Sequence, residues 1–297
     1  MSVPSSLPGV DTAPAKYPLG AMCVLLLGLF AMYVPTFQRL AAMVWSTDEQ
    51  GHGPLILAAS LWLLWGKRQA LFALTPEPAV GPGVLCLVLA SVLYVVGRSQ
   101  GVLELDAMSF ILMLMACMLL LVGRRGLRLT WFSFFFLLFM VPLPGTLVQM
   151  ITLPLKQAVS YVAENLLYWA GYPIGRTGVT LTIGPYQLLV ADACSGLNSL
   201  FTLESLGLLY MNIMNYKSAW RNGILAVFIV PISFIANVTR VITLVLVTYY
   251  LGDEVGQSFV HEFAGVLLFS VAMVLIYGVD RLLAAQFDES KGARHGR

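Results

Sequence analysis

Charged residues are scarce in this chain, since Asp, Glu, Lys and Arg make up only 11% of its 297 residues. A soluble globular domain carries about a quarter. Hydrophobic residues make up 59% of the sequence, and the mean hydropathy is +0.83. This composition excludes an ordinary soluble domain and indicates a polytopic membrane protein in the lipid bilayer.

Cysteine and histidine are also few, with four and three residues respectively. Cys23, Cys86 and Cys117 each lie inside an apolar run, where a thiol behaves as a small hydrophobic side chain, so no disulfide framework is expected. His52 and His295 are predicted on opposite sides of the membrane and no ligand spacing recurs, so we expect neither a metal site nor a cofactor. No basic patch interleaved with aromatic residues appears, which argues against a nucleic-acid partner.

Long apolar runs predict an all-α polytopic membrane protein with about eight transmembrane helices. Residues 1–16 are expected to form a disordered cytoplasmic tail, 17–283 a single integral membrane domain, and 284–297 a second cytoplasmic tail. The predicted spans are 17–37, 54–65, one ending near 97, one ending before 123, 131–141, 195–212, 224–249 and 261–280.

Lys and Arg are unevenly distributed between the two sides of this arrangement. Of the 17, twelve lie in one set of alternate loops and tails, four lie in the other set, and Arg240 lies within a span. The positive-inside rule therefore places both termini in the cytoplasm. As a consequence, residues 145–194 and the starts of the sixth and eighth spans face outward.

The longest stretch outside the predicted spans precedes the sixth. Apolar residues recur at helical spacing over 147–171, with Lys156, Gln157 and Glu164 between them, which predicts an amphipathic helix on the outer membrane surface. Two β-favouring runs, 178–183 and 186–190, flank Gly184 and Pro185. They predict a short β-hairpin directly before the sixth span.

A thiol stands where this hairpin meets the sixth span, in the sequence VADACSGLNS at 190–199. Asp192 is a suitable N-cap, and the unpaired N–H groups of a helix start favour the thiolate form of Cys194. Asn198, four residues on, falls on the same helix face. Cys194 is therefore a candidate nucleophile, and the alternative is a small buried residue. Ser195 is a weaker candidate.

Arg240 lies inside the seventh predicted span, where an arginine costs roughly 2.5–3.5 kcal/mol on insertion scales. Asn237 lies one turn earlier on the same face. Glu204 on the sixth span is a possible partner, so the alternative to a functional role is an ion pair that holds two spans together.

His261 is predicted at the outer end of the eighth span, on the same side as Cys194. A thiol, an imidazole and a guanidinium supply the nucleophile, proton shuttle and oxyanion stabiliser of acyl transfer. His52, between two glycines in the first outer loop, either lines this site or caps a turn.

Three motifs in order carry a family resemblance, ACSGL at 193–197, the segment from Pro231 through NVTRV at 237–241, and HEFAG at 261–265, and the resemblance extends to the hairpin and to GHG at 51–53. With them the chain resembles the exosortase and archaeosortase family of membrane cysteine transpeptidases, and within it the bacterial exosortases of the subgroup labelled type B. The resemblance implies a catalytic triad of Cys194, Arg240 and His261 acting through a thioester.

The resemblance also implies the substrates and the location. The substrates are exported proteins with a C-terminal sorting signal made of a Pro-Glu-Pro motif, a transmembrane helix and a basic cluster. The location is the bacterial inner membrane, with the active site facing the periplasm. Two alternatives stay open at this point: a membrane transporter, and a non-catalytic assembly subunit of an export or polysaccharide system.

Overall fold

The computed structural model describes residues 19–46, 51–189, 197–214, 219–256 and 263–292. The helices that follow one another along the chain are α1 (Leu19–Met43), α2 (Gly53–Gly66), α3 (Arg68–Phe72), α4 (Val80–Gln100), α5 (Leu103–Leu121), α6 (Arg124–Leu137), a 3₁₀ turn (Leu138–Met140), α7 (Gly145–Trp169), α8 (Leu197–Met214), α9 (Ala219–Leu251) and α10 (Ala264–Gly292). Between α7 and α8 lie three strands, β1 (Ile174–Thr177), β2 (Thr180–Ile183) and β3 (Tyr186–Leu189).

Five of the described helices are long and apolar enough to cross a membrane: Cys23–Met43, Val80–Gln100, Leu103–Leu121, Gly223–Leu251 and Gly265–Leu283. Arg124–Met140 and Gly145–Trp169 make a sixth candidate if they form one broken span. α2 is apolar but has only 14 residues. The all-α membrane architecture is confirmed, whereas the predicted number of eight spans is not.

The predicted extramembrane stretch has the expected form with one addition. α7 covers most of the predicted amphipathic helix, and β2 and β3 form the predicted hairpin. β1 was not predicted, because its sequence, Ile-Gly-Arg-Thr, lacks alternating apolar residues. Its place comes from pairing with β2 and from an ion pair between Arg176 Nε and Glu164 Oε2 of α7, 2.9 Å apart.

The chain packs as two compact units, of which the first contains the residues up to Met43 and Leu57–Val141. Small residues bring α4 and α5 of this unit close together, because Gly83, Ala90 and Gly97 are buried at intervals of seven along α4. A side chain at Gly97 would meet the backbone nitrogen of Asp106, so the two backbones nearly touch there.

The carboxylate of Asp106, near the start of α5, is fully buried and holds three helices together. Arg39 of α1 donates from Nη1 to Asp106 Oδ2 at 3.2 Å and from Nη2 to the Gly101 carbonyl at 3.1 Å. Arg98 of α4 lies 3.6 Å from the same carboxylate oxygen. Removing the carboxylate charge would leave two guanidinium groups facing each other.

We therefore expect Asp106→Asn to lower the free energy of unfolding by about 1–3 kcal/mol, the usual cost of breaking a buried charged contact whose partners are partly in solvent. Glu77→Gln is the matched control, because Glu77 pairs with Arg125 at 3.0 Å and both side chains are more than half exposed. The control should cost about 0–1 kcal/mol. Thermal unfolding of the purified variants in detergent measures both, and equal midpoints would contradict the role of Asp106.

The second unit contains Val44–Ile56 and the chain from Pro142 onward. Its first core joins α7, the sheet and the C-terminal half of α9, through Val159, Ala163, Leu167, Leu181, Ile183, Val238, Val241 and Val245.

The two turns of the sheet, between β1 and β2 and between β2 and β3, both begin with a glycine of positive φ, Gly178 at 64° and Gly184 at 53°. Glycine is favoured at the first position of such two-residue turns.

A second core in this unit joins α8, α9 and α10, through Leu203, Ile232, Ala236, Leu268, Ala272 and Ile276. α9 contributes to both cores from different faces. It is therefore the helix around which this unit packs.

Candidate functional site

α9 carries a row of buried polar side chains between its two apolar faces. Ser233, Asn237, Arg240 and Thr248 are all less than 10% exposed. At 100° per residue they fall within a sector of roughly 80°, with Ala236 on one side and Val241 on the other. We call these four residues the polar stripe. It places polar groups where the α8–α10 core meets the α7–sheet core.

Contacts within α9 hold part of the stripe in place. The Asn237 amide donates from Nδ2 to the Ser233 carbonyl at 3.0 Å, which fixes the plane of the amide group. Gly256, in the segment after α9, lies directly against the Thr248 hydroxyl, and a side chain there would overlap it. The chain leaving α9 therefore contacts the stripe at its last residue, Thr248.

Contacts between α8 and α9 show which part of α8 lies beside Arg240. Gly207 of α8 packs against Ile229 of α9, whereas Leu203, one turn earlier, shares a core with Ala236. The two helices are thus antiparallel. Counting ten residues back from Gly207 and ten forward from Ile229 brings Leu197, the first residue of α8, level with residues 239–240 of α9.

α10 reaches the same level. Tyr210 of α8 donates from its hydroxyl to Asp280 Oδ2 of α10 at 3.0 Å, and Leu203 shares a core with the earlier Leu268 and Ala272, so α8 and α10 are parallel. Tyr210 lies 13 residues after the start of α8 and Asp280 lies 16 after the start of α10. The two starts therefore differ in level by about 4.5 Å at 1.5 Å per residue.

Cys194, Ser195 and His261 themselves lie outside the described residues. In the sequence, Cys194 is three residues before the start of α8 and His261 three residues before the start of α10. These are the two helix starts that lie level with Arg240 or within a turn of it.

The other predicted site residues are spread over the second unit. Asn198 lies in the first turn of α8, although its side chain is not among those described. Glu204 is half-buried on α8, and no ion pair in the described part of the chain joins it to Arg240. His52 is half-buried in the turn before α2, where its carbonyl accepts a hydrogen bond from the Ile56 nitrogen at 3.1 Å.

Burial strengthens the electrostatic interactions that the charge of Arg240 can make. Its side chain sits in the apolar interior of a candidate span at 7% exposure, where an electrostatic interaction is much stronger than in water. Preorganised positive charge in such a setting stabilises negative charge that develops in a transition state. A thiol nucleophile and an imidazole proton shuttle are the further groups that acyl transfer needs.

Ser233 and Thr248 belong to the stripe but were not singled out from the sequence. Their spacing is visible in the sequence, because Ser233 lies four residues before Asn237 and Thr248 lies eight residues after Arg240. Neither is unusual alone in a membrane helix. Among the described residues, no three His, Cys, Asp or Glu side chains are grouped so that they could hold a metal ion.

Comparison with known proteins identifies a family that the chain matches. A family model described as transmembrane exosortase matches residues 44–278, which is most of the chain and includes every candidate site residue. No curated protein and no solved structure matches the chain.

Proposed function

Because the chain belongs to the transmembrane exosortase family, we propose that it is a membrane-embedded cysteine protease or transpeptidase. It cleaves exported proteins at a C-terminal signal of a Pro-Glu-Pro motif, a transmembrane helix and a basic cluster. Residues 17–283 form its single catalytic domain in the bacterial inner membrane, and the active site faces the periplasm. Cys194, Arg240 and His261 are its catalytic residues.

The observation that supports this proposal best is that Arg240 and the starts of α8 and α10 lie at similar levels along the packed helices. Buried Arg240 lies level with the start of α8 and within a turn of the start of α10, and these are the two helices directly preceded by Cys194 and His261. In the sequence, Cys194 and His261 each stand three residues before a helix that begins near the depth of Arg240. We propose that the three residues meet at this depth, which a purely structural arginine would not require.

Each catalytic residue has one task in this reaction. The Cys194 thiolate attacks the carbonyl carbon of the scissile peptide bond, and Arg240 stabilises the oxyanion that forms. The carbon–nitrogen bond then breaks, and protonated His261 gives its proton to the leaving amine. The upstream part of the substrate stays on Cys194 as a thioester.

The thioester is resolved by a second nucleophile, which is either water or the amine of an acceptor. Neutral His261 takes the proton of that nucleophile, and the Cys194 thiolate leaves. Asn198, Asn237, Ser195, His52 and Glu204 support the site or contact the substrate. Water gives hydrolysis and an amine gives transpeptidation.

Hydroxylamine tests for the thioester, because it attacks thioesters and leaves a hydroxamate at the new C-terminus of the product. We expect membranes that contain this protein and a reporter with the sorting signal to cleave the reporter and, with hydroxylamine, to form that hydroxamate, which mass spectrometry identifies. A reporter with the helix and basic cluster but no Pro-Glu-Pro is the control and should stay intact. Equal cleavage of both reporters, or an unchanged carboxylate product, would contradict the proposal.

A further inference from the structure

β3 forms one edge of the small sheet and leads toward the proposed nucleophile. The strand order is β1-β2-β3, so β2 is paired on both sides and β3 only on one. β3 ends at Leu189, five residues before Cys194. Five extended residues span at most about 18 Å. Only a short piece of chain therefore separates this edge from the proposed nucleophile in the sequence.

The register of the hairpin shows which backbone groups point to the outer edge. Ile183 and Tyr186 close the two-residue turn and form a hydrogen-bonded pair, and pairs alternate along an antiparallel ladder. Tyr186 and Leu188 thus direct their N–H and C=O groups to β2. Gln187 and Leu189 direct theirs away from the sheet.

The same two residues are accessible. Gln187 and Leu189 have exposed side chains, whereas Tyr186 and Leu188 pack on the core of α7, α9 and the sheet. Within the described residues, no backbone hydrogen bond reaches the outer edge of β3. The opposite edge differs, because β1 lies next to α7 and its Ile174 nitrogen already donates to the Tyr172 carbonyl at 2.9 Å.

We propose that the outer edge of β3 binds the extended segment of the substrate around its sorting motif by adding it as a fourth strand. This inference rests on the proposed function, since it names how the substrate of that site is held. An added strand is bound through main-chain hydrogen bonds, which give affinity with little dependence on sequence. Gln187 and Leu189 are the residues that supply those bonds.

An extended Pro-Glu-Pro segment can form backbone hydrogen bonds along only one of its two edges. A proline has no N–H, so it occurs in strands where its nitrogen faces away from the neighbouring strand. The two prolines flank one glutamate, and successive residues of a strand face opposite edges. When the glutamate N–H and C=O pair with Gln187 or Leu189, both prolines face the side where no partner is needed. The residue before a proline also prefers the extended conformation.

Methylation of single backbone nitrogens in the substrate tests this pairing on the unaltered, full-length protein. The probes are synthetic substrates that carry one N-methyl group on the glutamate, on the residue directly before the first proline, or on the residue before that. The first two positions face β3 and the third faces away. We expect kcat/KM to fall at least tenfold for the first two and less than threefold for the third.

A variant of β3 in the protein provides a second test of strand addition. Leu189→Pro removes an N–H that points away from β2, so the hairpin ladder keeps its bonds. We expect its kcat/KM to lie at least tenfold below that of Leu189→Ala, which keeps the N–H. The rate of Cys194 alkylation by iodoacetamide should be equal in the two variants, which reports that the site is intact.

The outcomes separate the two proposals. Processing that depends on Cys194 but shows no alternation with methyl position overturns strand addition and leaves the proposed function standing. No Cys194-dependent processing of any probe overturns both. A dimer in detergent that Leu189→Pro dissociates, with unchanged kcat/KM, would assign the edge to a second copy of the chain and also overturn strand addition.

Discussion

Cys194→Ala is expected to leave the reporter precursor uncut, with its rate of processing lowered by at least about 10⁴-fold. In the proposed mechanism the Cys194 thiolate is the group that forms the bond to the substrate, and neither Arg240 nor His261 can replace it. Cys194 stands three residues before the start of α8 in the sequence, and unpaired N–H groups at a helix start favour a thiolate. The loss should appear in kcat, because the side chain that is removed is small and substrate binding depends on other contacts.

Ser195→Ala distinguishes the two candidate nucleophiles. The residues are adjacent in the sequence, so a general disturbance of this segment would affect both variants to a similar degree. If Cys194 is the nucleophile, Ser195→Ala should process the reporter at least 100 times faster than Cys194→Ala. Immunoblots of precursor and product over time measure this ratio. The reverse order would identify a serine enzyme, and equal, undiminished rates would make Cys194 a structural thiol.

Replacing Arg240 is expected to have the second-largest effect. Arg240→Gln removes a buried positive charge from the level of the starts of α8 and α10, and we expect kcat to fall by about 10²–10³-fold with a small change in KM, as for other groups that stabilise an oxyanion. Arg240→Lys keeps the charge but not the planar set of donors, so it should recover part of the rate. Steady-state kinetics with a purified reporter give both constants.

A structural role for Arg240 predicts a different result. If the guanidinium only ties helices together, Arg240→Gln lowers the unfolding midpoint and the amount of folded protein, while kcat per folded molecule stays near that of the parent. Thr239→Val is the matched control on the same helix. Among the described residues its hydroxyl makes one hydrogen bond, donated to the Ile235 carbonyl at 2.9 Å, and we expect less than a twofold change in kcat.

Local features of the sequence were enough to predict much of this protein. Scarce charge and long apolar runs identify a membrane protein, and the α7 helix and the β2–β3 hairpin follow from short-range periodicity. Arg240 is conspicuous because a charge is costly inside a span. These predictions depend on the local order of residue types, which a sequence states directly.

Other features depend on which distant segments pack together. Nothing in the local sequence singles out Arg39, Arg98 and Asp106 as partners, and the structure joins the two partly exposed arginines to the buried Asp106 carboxylate. β1 lacks the pattern of a strand and exists because β2 and α7 lie beside it. Neither result can be found from local propensity, since each depends on contacts between separate helices or strands.

The polar stripe shows most clearly where the two kinds of information meet. The sequence by itself determined that Asn237 and Arg240 share a helix face, because the period of an α-helix is fixed. Only the tertiary structure decided that this face lies between two cores and that α8 and α10 begin beside it. The physical reason is that helix periodicity is set by the backbone, whereas the level at which helices meet is set by the packing of particular side chains such as Gly207 on Ile229.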